Sequence, residues 1–380
     1  MSHCADLTKI VFWEPCESPH KSHFFAALSK EIPQIKIICC YDAEMLSSRS
    51  ALGWEDKKPE GVINFTSPDY ETICSLISGE IETTLHVFSG IRWVRTINTA
   101  ISLAKKNDAK YCIWHEPREI EGWKGKLRLV HSWLTEKYHR KNSLAVLAIG
   151  RNGPRWFKWA GYNSCKIIPF AYFVDPPSVL FLSTDTRNDR RKIRVGYLGR
   201  LVKMKGIYDI VDALTFIESD VDLSFAGDGI ERERLEDYCA SKGVNSKFYG
   251  VLKISEIGGF LSNVDVLVVP STSNDGWAVV VSESLMAGVP VVCTELVGAS
   301  VLLEDDSFGR IVSVNNPRQI SNAIVDLRDS GAFTTHSKIH RSRRAISILS
   351  AEAGANYFSG IISWLEGKSE KPSEFYRHRG

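Results

Sequence analysis

The chain has 380 residues, enough for two domains of ordinary size, and 44% of them are hydrophobic and 24% charged. These proportions are typical of a globular protein and exclude a disordered or fibrous one. The 47 lysines and arginines nearly balance the 45 aspartates and glutamates. The resulting formal charge of +2 excludes a nonspecific nucleic-acid binder, which would need a large basic excess.

The first half of the chain alternates short β-branched runs with helix-length amphipathic segments, a pattern typical of parallel sheets with crossover helices. The predicted strands are Lys9–Trp13, Ile35–Cys40, Thr83–Phe88, Lys110–Trp114 and Leu144–Ile149. The predicted helices are His23–Lys30, Ile91–Lys106 and Lys126–Lys141.

A basic, tryptophan-rich stretch lies in this half, between Arg118 and Lys166. It holds eleven basic residues against three glutamates, a net charge of +8, with four interleaved tryptophans. This composition fits an anionic membrane surface or a pyrophosphate-bearing lipid acceptor. It also fits a solvated helix face whose tryptophans pack in the core, and the sequence leaves both interpretations open.

A proline-containing, charged stretch divides the chain. It predicts an N-terminal domain over residues 1–175, a linker over 176–192 and a C-terminal domain over 193–350. In the second domain the predicted strands are Arg194–Leu198, Asp222–Phe225, Ser246–Tyr249, Val264–Val269 and Val289–Cys293, and the helices are Ile207–Ile217, Glu231–Lys242 and Ser282–Ala287. Each half is expected to be a doubly wound, Rossmann-like α/β domain, and residues 369–380 are expected to form a flexible tail.

The apolar runs and the cysteines indicate where in the cell the protein acts. No run approaches the roughly 18–20 apolar residues of a membrane-spanning helix, and Asp6 interrupts the N-terminus where a secretion signal would be apolar. The nine cysteines are scattered, without zinc-ligand spacing. The sequence therefore predicts a cytoplasmic enzyme with reduced thiols in its core.

Two cations flank a glycine turn after the strand Arg194–Leu198. Gly199 and Arg200 follow the strand directly, and Lys205 precedes Gly206 and the next predicted helix. Glycine permits a tight turn, and cations beside a helix N-terminus form an anion site that a diphosphate would fit. Taken alone, this stretch also fits a plain surface turn.

A second glycine loop follows the strand that ends at Val269. Asp275 and Gly276 stand in this loop, and Glu283 lies in a short predicted helix that starts near Ser282 and ends at Gly288. Open α/β sheets bind ligands at the carboxyl ends of their strands. The two carboxylates are therefore expected to accept hydrogen bonds from sugar and ribose hydroxyls.

On these residues the C-terminal half resembles the retaining, GT-B fold glycosyltransferases of family 4, the glycosyl transferases group 1. The similar segments, strong over residues 194–312, are Val195–Leu201 with Lys205-Gly206, Ala226–Gly229, Phe248–Val251, Asp265–Ser271, Asp275 to Glu283 and Ala287–Val292. Weaker similarity in the first half covers Ser18–His20, Leu85–Gly90, Trp114–Pro117, Ala148–Gly150, Ile168–Phe170 and Val174-Asp175. The resemblance implies two Rossmann-like domains facing a cleft (GT-B), with a C-terminal helix over residues 351–368 that returns to the N-terminal domain.

The resemblance also implies roles for individual residues. Arg200 and Lys205 would bind the donor diphosphate, Glu283 the ribose and Asp275 the donor sugar. The other donor-binding residues would be Gly199, Gly227, Val251, Gly276, Trp277 and Ala278. His115 would approach the reacting sugar and so be catalytic together with Arg200, Lys205 and Asp275, and His20 would lie on the acceptor side.

This chain departs from the family pattern around the two acids. Asp275 stands where the family has a glutamate, which is one methylene longer, so the identity of the donor sugar is the property most affected. Trp277-Ala278 replaces the usual Phe-Gly, and Ser284 replaces the usual alanine.

We therefore expect a retaining hexosyltransferase that moves a sugar from a nucleoside-diphosphate sugar, a UDP-sugar rather than a GDP-sugar, to a saccharide or lipid-linked saccharide in cell-surface polysaccharide or lipopolysaccharide assembly. Arg200 and Lys205 would take the electrostatic role of a divalent cation, so no metal or other cofactor is expected. The expected partners exclude nucleic acid and include an anionic membrane surface, the cytoplasmic face of the inner membrane. Two alternatives stay open: another GT-B enzyme such as a sugar-nucleotide epimerase, and a non-catalytic sugar-nucleotide-binding protein.

Overall fold

The computed structural model describes residues 6–44, 58–92, 94–119, 122–178 and 192–377. These residues divide into two compact units. The first unit holds the described residues up to 174 and those from 351 onward, and the second holds the described residues from 175 to 350. Residues 179–191 of the expected linker lie outside the described residues.

A parallel sheet forms the centre of the first unit. Its strands are β1 (Lys9–Cys16), β2 (Lys36–Ala43), β3 (Ile63–Thr66), β4 (Thr84–Ser89), β5 (Tyr111–His115), β6 (Val146–Ile149) and β7 (Ile167–Phe170). They lie in the order β3-β2-β1-β4-β5-β6-β7, seven strands in the part described. Residues 10–13 of β1 are fully buried because helices cover both faces of such a sheet.

The helices of the first unit up to residue 174 are α1 (Pro19–Glu31), α2 (Tyr70–Ser78), α3 (Arg95–Lys106), α4 (Gly122–Thr135), α5 (Lys137–Asn142) and α6 (Asn152–Trp159). The single helix predicted over Lys126–Lys141 is therefore wrong, since α4 ends before Glu136 and α5 begins after it. Glu136 is buried there and accepts the Tyr162 hydroxyl at 3.0 Å, a contact that sequence periodicity does not reveal.

The second unit has its own parallel sheet. Its strands are β8 (Ile193–Leu198), β9 (Val221–Ala226), β10 (Ser246–Phe248), β11 (Val266–Val269), β12 (Val291–Thr294) and β13 (Gly309–Val312), and its helices are α7 (Ile207–Leu214), α8 (Arg232–Ser241), α9 (Ile254–Leu261), α10 (Val279–Met286), α11 (Pro317–Asp329) and α12 (Thr335–Leu349). Among the described residues the strand order is β10-β9-β8-β11-β12-β13. The predicted fold class, an α/β protein with two doubly wound units, is confirmed.

The last helix, α13 (Ala351–Leu365), belongs to the first unit and packs against α1. Gly354 lets it approach closely, because a Cβ there would lie 2.2 Å from the Phe173 ring. We expected a flexible tail over 369–380, whereas residues 371–376 pack on this unit. Lys371 Nζ donates to the Ile167 carbonyl at 2.7 Å, and the Phe375 ring lies 5.2 Å from that of Phe173.

Each sheet has a switch point, where the strand order reverses direction. In the first unit it lies between β1 and β4, and in the second between β8 and β11. All pairings are parallel, so the loops after these strands meet at one edge of each sheet. In open α/β sheets this crevice, outside the carboxyl ends of the strands, is the usual ligand site.

The sequence also predicts reduced cysteines and no membrane-spanning helix. The eight cysteines in the described residues are free thiols, and Cys165 is exposed rather than in the core. Within the same residues, no helix has both the length and the apolar character needed to cross a bilayer.

Candidate functional site

Three glycine-containing loops lie side by side at the carboxyl edge of the second unit. Gly199 donates its N–H to the Ala226 carbonyl at 2.9 Å, and Gly227 donates to the Gly250 carbonyl at 2.7 Å. A Cβ at Gly227 would lie 2.0 Å from the Gly199 carbonyl oxygen, so only glycine fits there. The three sequence-predicted positions Gly199, Gly227 and Val251 are thus brought to one edge, and Val251 is exposed.

The predicted cations occupy the loop after β8. The Arg200 side chain is exposed, and its carbonyl accepts the buried Tyr197 hydroxyl at 2.8 Å, which fixes the backbone from which the guanidinium extends. Lys205 ends a short 3-10 turn, and Gly206 follows it with φ of 68° as α7 begins. A Cβ at Gly206 would lie 2.0 Å from the Pro270 carbonyl oxygen, so this loop is pressed against the end of β11.

Lys205 and Asp275 form an ion pair in the second unit. Asp275 Oδ2 also accepts the Ser271 hydroxyl at 2.7 Å. These three residues form the switch-point triad of the second unit. The sequence predicted two of them as parts of one donor site, but it missed Ser271 and the direct pairing. The signal for Ser271 was its position two residues after β11, where ligand-binding side chains cluster.

The chain after Asp275 makes a strained turn into α10. Gly276 has φ of 34° and Ala278 has φ of 60°, both in the left-handed region. Ala278 carries a Cβ in that region, which stores strain of the kind found at ligand-binding turns. Trp277 between them is buried, and its Nε1 donates to Ser282 Oγ at 2.9 Å. This anchor holds the turn at the helix N-terminus, where backbone N–H groups are available to an oxygen-rich ligand.

Glu283 lies within α10, on the same segment as the strained turn. Its carboxyl group is buried, and burial raises its pKa to about 7. A buried carboxylate is costly unless hydrogen-bond donors satisfy it. Two adjacent hydroxyl groups of a ligand would supply such donors.

The predicted residues of the first unit lie at its own carboxyl edge. His115 is the last residue of β5, half buried, and its Nδ1 contacts the Glu116 carbonyl oxygen. Since a carbonyl oxygen only accepts hydrogen bonds, Nδ1 carries the proton and Nε2 is left as an acceptor. Burial lowers the pKa of His115, which favours this neutral form. His20 lies in the first turn of α1, half buried.

A cluster that the sequence did not predict lies at the switch point of the first unit. Lys21 Nζ donates to Glu14 Oε2 at 2.6 Å and to Ser89 Oγ at 2.8 Å, and Ser89 donates to Glu14 Oε1 at 2.7 Å. Lys21 Nζ also lies 4.1 Å from the centre of the Trp114 ring. Lys21, Glu14 and Ser89 form the switch-point triad of the first unit. The sequence signal was weak, a charged residue within an otherwise apolar strand.

Residues 182–342 match the family model described as Glycosyl transferases group 1. Among curated relatives, the chain is 26% identical over 201 residues to an uncharacterized glycosyltransferase, MJ1178, of Methanocaldococcus jannaschii, covering 48% of this chain and 55% of the relative. It is 32% identical over 153 residues to the O-antigen biosynthesis glycosyltransferase WclY of Escherichia coli, covering 40% of each. The chain thus spans about half the length, or less, of these relatives. The expected resemblance of the C-terminal half to the glycosyl transferases group 1 is confirmed by these matches.

Among solved structures, the Anabaena protein Alr3699/HepE in complex with UDP is similar over 94% of this chain and 100% of that one, with a TM-score of 0.71 and 16% sequence identity. At this identity the similarity establishes the fold, and the expected GT-B fold is confirmed. In the described residues no group of three or more His, Cys, Asp and Glu side chains is arranged to hold a metal ion.

Proposed function

We propose that this protein is a retaining glycosyltransferase that moves a sugar from a nucleoside-diphosphate sugar to a saccharide or lipid-linked saccharide in cell-surface polysaccharide or lipopolysaccharide assembly. The observation that carries the proposal is the carboxyl edge of the second unit. There the glycine loops, the switch-point triad and the strained turn into α10 combine cations, backbone N–H groups and carboxylates. A nucleoside-diphosphate sugar needs these three kinds of partner for its phosphates and its hydroxyls.

The donor fits this edge in a definite order along the chain. Arg200 and Lys205 bind the diphosphate, and the turn at Gly276–Ala278 offers N–H groups to the sugar. Asp275 accepts hydroxyl hydrogen bonds from the sugar, and Glu283 accepts them from the ribose. One fact favours a UDP-sugar over a GDP-sugar: the similar Anabaena structures hold UDP and UDP-glucose.

The chemical difficulty in the reaction is the charge that develops on the departing diphosphate. Arg200 and Lys205 would stabilise that charge, and the partly buried Lys205 is worth more there than a cation in water. We assign the electrostatic work to these two side chains and expect transfer without a divalent cation. Lys205 begins paired with Asp275, so donor binding exchanges a carboxylate partner for a diphosphate.

We assign two roles to the first unit, a contact to the reacting sugar and a contact to the acceptor. His115 presents an unprotonated Nε2 at the end of β5, and a hydroxyl of the reacting sugar is a suitable donor to it. His20, in the first turn of α1, would contact the acceptor. We place the protein in the cytoplasm, where its free thiols stay reduced.

One experiment separates this proposal from its alternatives. The protein is incubated with UDP-glucose and other nucleotide sugars, with and without a set of saccharide and lipid-linked acceptors and with a chelator present throughout. Release of UDP that depends on an acceptor, with a product of the same anomeric configuration as the donor, supports retaining transfer without a metal. Epimerised donor without an acceptor would indicate an epimerase, and binding without any turnover would indicate a binding protein.

A further inference from the structure

Helix α4 exposes an apolar face that points away from the unit it belongs to. Its buried residues, in the part of the helix described, are Gly125 and Ser132. Trp123, Leu127, Val130 and Leu134 are 68%, 57%, 55% and 64% exposed. Their spacing of four, three and four residues puts them on one stripe of the helix, opposite the buried pair. We call these four residues the α4 stripe.

The stripe answers the question that the basic stretch left open. Trp156 packs in the core, whereas Trp123, Trp133 and Trp159 are exposed. A side chain added at Gly161 would lie 3.3 Å from the Trp133 ring, so Trp133 borders the end of α6 where Trp159 lies. A solvated helix face does not present so many large apolar side chains, since exposed apolar surface of this extent marks an interaction site.

Charges around the stripe indicate what it binds. Lys124 and Lys126 are exposed, and on a helical wheel they lie on opposite sides of the stripe. Helix α4 contains no acidic residue, and Glu119 just before it is paired with Arg128 at 3.1 Å. An apolar stripe with a lysine on each side and tryptophans at its border matches a helix lying in the plane of an anionic membrane surface.

We propose that α4 is an interfacial helix that attaches this protein to an anionic lipid bilayer through the α4 stripe and its flanking lysines. The inner side of α4 connects this surface to the carboxyl edge of the first sheet. Arg118 Nη1 donates to Ser132 Oγ at 3.4 Å, and Arg92 Nη2 donates to Thr135 Oγ1 at 2.5 Å. Arg92 and Arg118 follow β4 and β5, so a docked α4 lies beside the edge that carries His115. The inference extends the proposed function toward a lipid-linked acceptor, while membrane attachment itself does not depend on transfer.

The test is cosedimentation of the full chain with vesicles of phosphatidylcholine, with and without phosphatidylglycerol. Wild type is expected to bind the anionic vesicles and to dissociate as salt rises. Lys124→Gln with Lys126→Gln should weaken binding by about 25-fold, since each cation near such a surface contributes roughly a factor of five. Leu127→Gln should weaken it by about tenfold, the effect of losing a buried leucine side chain.

Matched controls carry the same changes elsewhere. Lys30→Gln with Lys36→Gln removes the same charge from exposed positions, and Ile230→Gln removes an isoleucine that is 88% exposed. Both should bind like wild type, and thermal unfolding should show all variants folded. The proposal is overturned if wild type stays in the supernatant at low salt, or if the α4 variants bind as well as the controls. It is also overturned if light scattering shows a wild-type dimer that Leu127→Gln converts to a monomer, because the stripe would then bind a second copy.

Discussion

The two units carry the same three kinds of side chain at their switch points but surround them differently. In the first triad, the side chains of Lys21 and Glu14 are 12% and 2% exposed, and in the second those of Lys205 and Asp275 are 16% and 17% exposed. The carboxylate is thus sealed in one unit and accessible in the other. The aromatic ring of Trp114 covers the first lysine, whereas glycine loops border the second.

An ion pair at a switch point can therefore serve either stability or ligand exchange, depending on what covers it. A sealed pair has no water or ligand to replace a lost partner, so breaking it leaves a buried charge. An accessible pair can exchange one partner for a ligand's phosphate at small cost. We therefore expect the first triad to hold its loops in place and the second to bind the donor.

The largest effect is expected from removing the lysine of the sealed pair. Lys21→Met should lower the free energy of unfolding by about 3–5 kcal/mol, because Glu14 would stay buried without its cation. The matched variant Lys205→Met should lower it by only about 1 kcal/mol, because Asp275 keeps contact with solvent. Urea unfolding followed by circular dichroism measures both.

The double variant Lys21→Met with Glu14→Leu provides the control, since it removes the charge together with its partner. It should recover most of the stability lost in Lys21→Met. Equal losses in Lys21→Met and Lys205→Met would contradict the distinction between a sealed and an accessible pair.

The next effect is on UDP affinity and concerns the second unit alone. Arg200→Ala and Lys205→Ala should each weaken UDP binding by about 10- to 100-fold, because a charge-assisted hydrogen bond is worth about 1.5–3 kcal/mol. Calorimetric titration with UDP measures this. Lys203→Ala, an exposed lysine in the same short turn, should bind UDP like wild type. Wild-type affinity in either Arg200→Ala or Lys205→Ala would remove that residue from the diphosphate site.

We expect Glu283 to make the UDP affinity of the second unit depend on pH. Its pKa of about 7 means that the carboxyl group ionises as pH rises through neutrality, and the ionised form is the better acceptor for ribose hydroxyls. UDP affinity should therefore rise by up to about tenfold between about pH 6 and about pH 8. Glu283→Gln cannot ionise there, so only ionisation of the ligand's phosphate should remain. Identical pH profiles in the two proteins would separate Glu283 from the ligand.

A smaller effect on UDP affinity, an increase rather than a loss, should come from replacing Asp275. Asp275→Asn frees Lys205 from its carboxylate partner and removes a negative charge near the diphosphate, so UDP should bind about five times more tightly. Transfer should fall at the same time because the sugar loses its acceptor. Asp306→Asn removes the same charge at an exposed position and should alter neither UDP affinity nor transfer. Weaker UDP binding in Asp275→Asn would show that the carboxylate positions Lys205 for the phosphate.

The sequence predicts the features that depend on residues close together in the chain, and it misses those that depend on distant residues. Buried parallel strands such as β8 and β11 are continuous apolar runs, so their positions were predictable, whereas the half-exposed β3 has no such run and was missed. The residues that we propose for the donor site lie in local motifs after those strands, so the sequence alone could nominate them. The triad of the first unit was not, because Glu14 and Ser89 are 75 residues apart and only the sheet order joins them.

The smallest effect is expected at His115 in the first unit. Its Nε2 is the available acceptor, since Nδ1 donates to the Glu116 carbonyl, and one hydrogen bond to the reacting sugar is worth about 1 kcal/mol. His115→Ala should therefore lower kcat by about fivefold and leave UDP affinity unchanged, because we assign UDP to the second unit. His115→Gln, whose amide oxygen can accept the same hydrogen bond, should retain most of the turnover. Steady-state kinetics and calorimetry on the two variants measure both quantities. A kcat equal to wild type in His115→Ala, or a parallel loss of UDP affinity, would mean that His115 does not act on the sugar. The first unit would then contribute through other residues.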